Sequence, residues 1–190
     1  RLMLPASKYD TPESKRAFVA AVLDRVRALP GVESVGETTF IPFSGWNGSR
    51  PIDVEGRPAP APEDRPRAEF RCVNEDFFTT MRIALRKGRV FTPDDREGAP
   101  NVVVVNEAFA RRIFPGEDPL GRRIGLQLGQ LRPGEAASGP QLRQIVGVVG
   151  DVRHFGLAQD AEPEVYLSFW QNGAFSKQWI YQAGAVISIA

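Results

Sequence analysis

Cysteine and histidine are almost absent from this chain: one of each occurs among 190 residues. A lone Cys72 excludes an intramolecular disulfide, and beside a lone His154 neither the H-x-x-x-H nor the C-x-x-C spacing of a zinc site occurs. No G-x-x-x-x-G-K-[ST] loop is present to cradle the phosphates of ATP, and no G-x-S-x-G elbow presents a nucleophilic serine. An excess of one charge is also missing: 24 Lys and Arg face 23 Asp and Glu, a net +1. Such a chain has no field to draw nucleic acid or an anionic membrane surface, so both are excluded as direct partners. No apolar run of ~20 residues exists to cross a bilayer as a helix, and no signal-peptide pattern is seen. The chain begins at Arg1 and ends in the strand-like "QWIYQAGAVISIA", so it is expected to be cut from something longer; if the parent is a membrane protein, its helices lie outside this stretch.

What is there is an ordinary globular composition, 42% hydrophobic and 25% charged, long enough for a substantial core. Thr11 to Leu29 predicts a helix. Thr11 stands at the cap, Pro12 at the first helical position and Glu13 near the positive end of the dipole, and Phe18, Val22, Val26 and Leu29 form an apolar stripe closed by Pro30-Gly31. Strands are expected at Val32–Phe40, Ile52–Val54, Arg67–Val73, Arg89–Phe91, Val102–Val105, Arg122–Leu128, Gln144–Val152, Val165–Phe169 and Trp179–Ile189, with short helices after Asn74 and Asn106. "GRPAPAPEDRP" (Gly56 to Pro66) reads as an extended linker, and Gly129 to Pro140 as a polar hairpin tip. Gly147 and Gly150 stand inside a strand, which suggests close backbone approach or a bulge. The fold class that follows is α+β.

Four features could carry chemistry or binding. Val73-Asn74-Glu75-Asp76-Phe77 is echoed by Val105-Asn106-Glu107-Ala108-Phe109. In each, the Asn suits a helix cap, the Glu the helix dipole and the Phe the core, so the echo predicts structure and no catalytic carboxylate pair. Cys72 sits in an apparent strand as a small buried hydrophobe, with Arg71 on the opposite face. His154, in "VVGDVRHFG" at a strand end, has Asp151 three residues before it. Asp151 can simply end the strand while His154 bonds locally, or the two can orient one another as an enzyme's pair. Last, "PFSGWNGS" (Pro42 to Ser49) holds Phe43 and Trp46 on a loop with little backbone restraint, where Trp46 is either a lid on the core or an anchor for a partner. No cofactor and no metal is expected.

Three blocks then stand in order: "CVNEDFFTTMRIALRKGRVFTPDD" (Cys72 to Asp95), "VVVVNEAFARRIFPGEDPLGRRI" (Val102 to Ile124) and "QIVGVVGDVRHFGLAQDAEPEVYLSFWQ" (Gln144 to Gln171). Together they resemble the MacB-type extracytoplasmic core domain of ABC transporter permeases, including the FtsX-like and duplicated orphan permeases of acidobacterial type. The resemblance implies a domain on the periplasmic side of the bacterial inner membrane, between the first two membrane helices of a permease. It implies a porter-like β-α-β portion from residues 1–45 with 165–190, its second unit truncated, and an inserted strand-rich subdomain at residues 50–164. It further implies no catalysis in the domain itself. Its task would be to couple helix motion, driven by ATP in a cytoplasmic domain or subunit, to handling of a periplasmic substrate or partner. A second permease protomer, the cytoplasmic ATPase and a periplasmic adaptor are the implied partners. A periplasmic sensor or ligand-binding module without transport is the alternative class, and an enzyme using Asp151 and His154 is the third.

Overall fold

The computed structural model describes residues 9, 11–41, 48–126, 141–154, 156, 158–171 and 184–189. The first helix, α1 (Pro12–Arg27), starts where Thr11 Oγ1 accepts the Ser14 amide at 3.1 Å. Its Val19 and Leu23 bury against Val35 and Phe169. β1 (Val32–Thr38) follows, then β2 (Ser49–Val54), β3 (Arg67–Val73), the one-turn α2 (Phe77–Thr80), β4 (Leu85–Gly88) and β5 (Val102–Asn106). The chain continues through α3 (Glu107–Ile113), β6 (Arg123–Leu126), β7 (Gln141–Val149), β8 (Glu164–Ser168) and β9 (Gly184–Ile189). The result is sheet-rich α+β with few and mostly short helices, as the sequence predicts.

The strands form one sheet that closes on itself. The order β2-β6-β7-β5-β8-β3 returns to β2 through a β2–β3 pairing, so these strands make a ring. Alternation along β2 performs the closure: the Ile52 amide donates to Pro66 O at 2.8 Å beside β3, and the Glu55 amide, just past the strand, donates to Arg123 O at 3.0 Å beside β6. Two contacts in the ring are parallel, β5–β7 and β3–β8. β1 joins this ring at β3, β9 lies antiparallel along β1, and β4 pairs with β7.

The period-2 alternation of strands sorts the side chains. Val103 and Val105 of β5 face the interior with Phe70, Cys72, Val165 and Leu167, and α3 adds Phe109 and Ile113 to the same cluster. The interior is therefore packed with side chains and is no channel. Val102 and Val104 point outward, where Phe77 and Phe78 of α2, with Phe91 and Tyr166, cover them. Burial on both faces is why β5 reads as an unbroken valine run.

Two local expectations differ. Asn74 does not cap α2: the N-cap position is Asp76, without a side-chain cap bond, and the Asn74 side chain bonds β1 instead. The short strand expected at Arg89–Phe91 lies earlier, at Leu85–Gly88, whose residues are all exposed. An edge strand pairs through its backbone, so its charged side chains leave no apolar pattern to read. β8 is paired on both sides within the ring, by β3 and β5. Gly147 meets its expectation. A Cβ there would stand 2.0 Å from Arg89 O, and the β5–β7 register shifts beside it. Gly129 to Pro140 lies outside the described residues, as does the stretch before Gly184 of the strand expected at Trp179–Ile189.

Candidate functional site

The polar centre of the molecule lies on the outward face of β3 and β8, beneath the segment that leaves β7. Parallel pairing sets Glu69 beside Glu164 and Arg71 beside Tyr166. Arg71 and Glu164 are each 1% exposed and form an ion pair through Arg71 Nε and Glu164 Oε1. Arg71 also donates through Nη1 to the Phe40 carbonyl at 2.7 Å. The second carboxylate oxygen, Glu164 Oε2, accepts the Tyr166 hydroxyl at 2.6 Å and contacts His154 Nε2 at 2.9 Å.

Asn106 fastens this group from the other side. Its Oδ1 accepts the Phe109 amide at 2.8 Å, capping α3 as expected, and also the Glu164 amide at 2.9 Å. Its Nδ2 donates to Glu162 O at 2.8 Å. One buried side chain thus caps a helix and ties down the start of β8.

Electrostatics follow from the contacts. Burial alone would raise the Glu164 carboxyl, but Arg71, His154 and Tyr166 outweigh it and hold the group below the usual carboxylate range. Burial, with the Glu164 carboxylate beside it, pushes the Tyr166 phenol well up. Glu69 is raised, first by burial and then by Glu164 and Glu162, against Arg71 and His154. With Glu164 an ionised acceptor, His154 Nε2 is the donor in this contact, and Nδ1 is buried without a partner.

Asp151 and His154 are not brought together. Asp151 Oδ1 accepts the Ala108 amide and Oδ2 the Arg111 guanidinium, both at 2.7 Å, so this carboxylate serves the first turn of α3. His154 belongs to Glu164 instead. The pairing of these two residues as an enzyme's acid–base couple is therefore corrected: each finds a nearer, chemically better partner. Glu107 meets Arg86 at 3.3 Å and Glu75 accepts Trp170 Nε1 at 2.8 Å, so the echoed glutamates do not form a pair either. Cys72 is buried among the interior aliphatics, and burial pushes its thiol up, the neighbouring Glu37 adding to it. Among the described residues no group of His, Cys, Asp and Glu is placed to hold a metal. Phe43 and Trp46 lie outside the described residues.

Arg71, Glu164 and Tyr166 escape sequence reasoning because polar residues alternating with apolar ones read as a solvent face. Here that face is covered. The available signal was the adjacency of Glu164 to a wholly buried strand, "EVYLS".

The ring and its buried network define a class: a sheet-rich domain whose central polar residues hold strands and helix ends together. The model of the MacB-like periplasmic core domain matches residues 5–188, and the chain belongs to that family. It is 33% identical over 57 residues to the macrolide export ATP-binding/permease protein MacB of Aggregatibacter actinomycetemcomitans, a match covering 30% of this chain and 9% of that protein. The chain thus aligns with only a small part of that relative. Among solved structures, the periplasmic region of MacB from Actinobacillus actinomycetemcomitans superposes with a TM-score of 0.58 at 17% identity, over 90% of this chain and 64% of that one. The extracellular domain of the ABC-type transporter YknZ from Gram-positive bacteria gives 0.54 at 13% identity, over 88% and 70%. At these identities the structural likeness speaks for the fold alone.

Proposed function

We propose that this chain is the extracytoplasmic domain of an inner-membrane ABC transporter permease and serves there as a rigid coupling element. The observation that carries this reading is the closed ring of β2-β6-β7-β5-β8-β3, filled with side chains and fastened by the Arg71–Glu164–Asn106 network. A packed interior resists continuous deformation, so a force applied at one edge moves the ring as a unit. On this reading α1, β1 and β9 belong to the porter-like portion, and the ring from Ser49 to Ser168 is the insert, β8 included. ATP is hydrolysed in another domain or subunit, and a second protomer and a periplasmic adaptor receive the motion. Phe43 and Trp46 are the proposed anchors toward such a partner, since large aromatics dominate interface centres.

The test uses the isolated chain and the full-length permease side by side. Trp46→Ala should leave the chain's melting temperature near wild type and weaken ATP-driven transport or adaptor binding by the permease. The purified chain should show no ATP turnover. A large drop in melting temperature would make Trp46 a core lid and remove it from the interface. Loss of all transport in His154→Gln with the chain's stability unchanged would restore a chemical role at His154 and sink the coupling reading.

A further inference from the structure

Glu37 stands where the α1–β1–β9 layer meets the ring. Its side chain is 3% exposed, and both carboxylate oxygens are buried without a hydrogen-bond partner. Its main chain is fully engaged: the Glu37 amide donates to Asn74 Oδ1 at 2.7 Å, and its carbonyl accepts the Asn74 amide at 3.3 Å. Asn74 Nδ2 adds a bond to Val35 O at 3.2 Å. The seam itself is short. Thr38 and Val73 pair in register between β1 and β3, extended by Thr39 N–H to Cys72 O and Cys72 N–H to Thr39 Oγ1, both at 3.1 Å. An orphaned carboxyl is thus buried within the short seam that joins two parts of the molecule.

Among the described residues no cation bonds that carboxyl; Arg143 lies near it only by way of Cys72, whose thiol feels both groups. The turn after β3 brings Glu75, which adds repulsion, and β3 brings the Cys72 thiol. α2 meets β1 at Gly36 through Phe77 and Thr80, neither of them charged. α1 packs beside Val35; its cations are the buried Lys15, Arg16, which binds Glu13 and Glu97, and, at its far end, Arg25 and Arg27, the latter binding Asp24 and Asp76. On β1 itself Glu33 is exposed, and the sequence of β9, GAVISI, has no titratable residue. An ionised carboxylate in such a place has neither water nor a partner, so the neutral acid is the form that fits.

We propose that Glu37 is a proton-dependent latch: its neutral carboxyl lets the α1–β1–β9 layer close on the ring, and its ionisation loosens that layer. This goes beyond the transporter reading and does not depend on it. Burial, and then Glu75, push the closed-state carboxyl well above the usual range. With the seam open and the group in water, it ionises near pH about 4.3. The closed form therefore binds the extra proton, and closure weakens as pH rises from that value, by up to about tenfold per pH unit, until the closed-state value is reached.

Amide hydrogen exchange of the 190-residue chain between pH 5 and 9, corrected for intrinsic exchange, tests this. The opening constant of β1 peptides should climb with pH while that of β5 peptides stays level. Glu37→Gln should keep β1 closed with no pH slope. Glu75→Gln should make the rise level off at lower pH, because one repelling charge is gone. An equal rise in β1 and β5, or an unchanged slope in Glu37→Gln, overturns the latch. If Glu37→Gln does not fold, Glu75→Gln decides alone: a levelling point that does not move overturns it.

Discussion

Replacing Asn106 by Ala removes more than a helix cap. A cap by itself is worth about 1 kcal/mol, and Thr11, an exposed cap on α1 with one amide bonded at 3.1 Å, provides that reference within the same molecule. Asn106 accepts two amides, from Phe109 and Glu164, and donates to the Glu162 carbonyl, while being 0% exposed. Each lost bond costs about 1 kcal/mol net, and a buried amide left without an acceptor costs about 1–3 kcal/mol. The total expected for Asn106→Ala is about 3 kcal/mol, against about 1 kcal/mol for Thr11→Ala. Urea unfolding at pH 7 measures both. With a slope of about 2 kcal/mol/M, the Asn106 variant should unfold about 1.5 M earlier and the Thr11 variant about 0.5 M earlier. Equal shifts would show that the bond to Glu164 adds nothing and that the network does not fasten β8.

Glu164→Gln leaves Arg71 buried without its counter-charge and should cost about 3–5 kcal/mol in unfolding free energy at pH 7. Because the Glu164 carboxyl is held below its usual range, wild type carries this stability above pH about 4.3 and loses it as pH falls further, so the gap between the two proteins should narrow in acid melts. Gly147→Ala puts a methyl 2.0 Å from Arg89 O; it should destabilise by about 1–3 kcal/mol, with faster amide exchange at Leu85–Gly88 than elsewhere. Cys72, buried and with its thiol pushed up, should stay silent to a thiol reagent in the native chain and react fully in urea.

Local chemistry was legible in the sequence. α1 is written in Thr11, Pro12 and its apolar stripe, and β5 in its four valines, because cap, dipole and branching act within a few residues. Closure of the ring was not. It depends on β2 pairing one way through Ile52 and the other way near Glu55 with strands far off in the chain, and no local pattern encodes that choice. The buried network was hidden for a related reason. Alternating Arg67, Glu69 and Arg71 along β3 imply an outer face in water, and only the structure puts a second layer over Arg71.

The echoed Val-Asn-Glu segments make the distinction concrete. Both asparagines are 0% exposed, Asn74 just after β3 and Asn106 at the end of β5, two strands of the ring. After β5 the helix begins at once, so the Asn106 side chain reaches the Phe109 amide three residues on and acts as a cap. After β3 the helix begins at Phe77, and Asn74 is free to turn its amide toward β1, where it meets the Glu37 N–H and the Val35 carbonyl. The same three residues thus serve one helix in one place and one strand seam in the other. What decides between them is the strand that arrives alongside, which lies 37 residues away from Asn74 in the chain. A side chain with both donor and acceptor satisfies whichever buried backbone groups are brought to it. For that reason the polar interior of this domain was fixed by topology and could not be read from the echo alone.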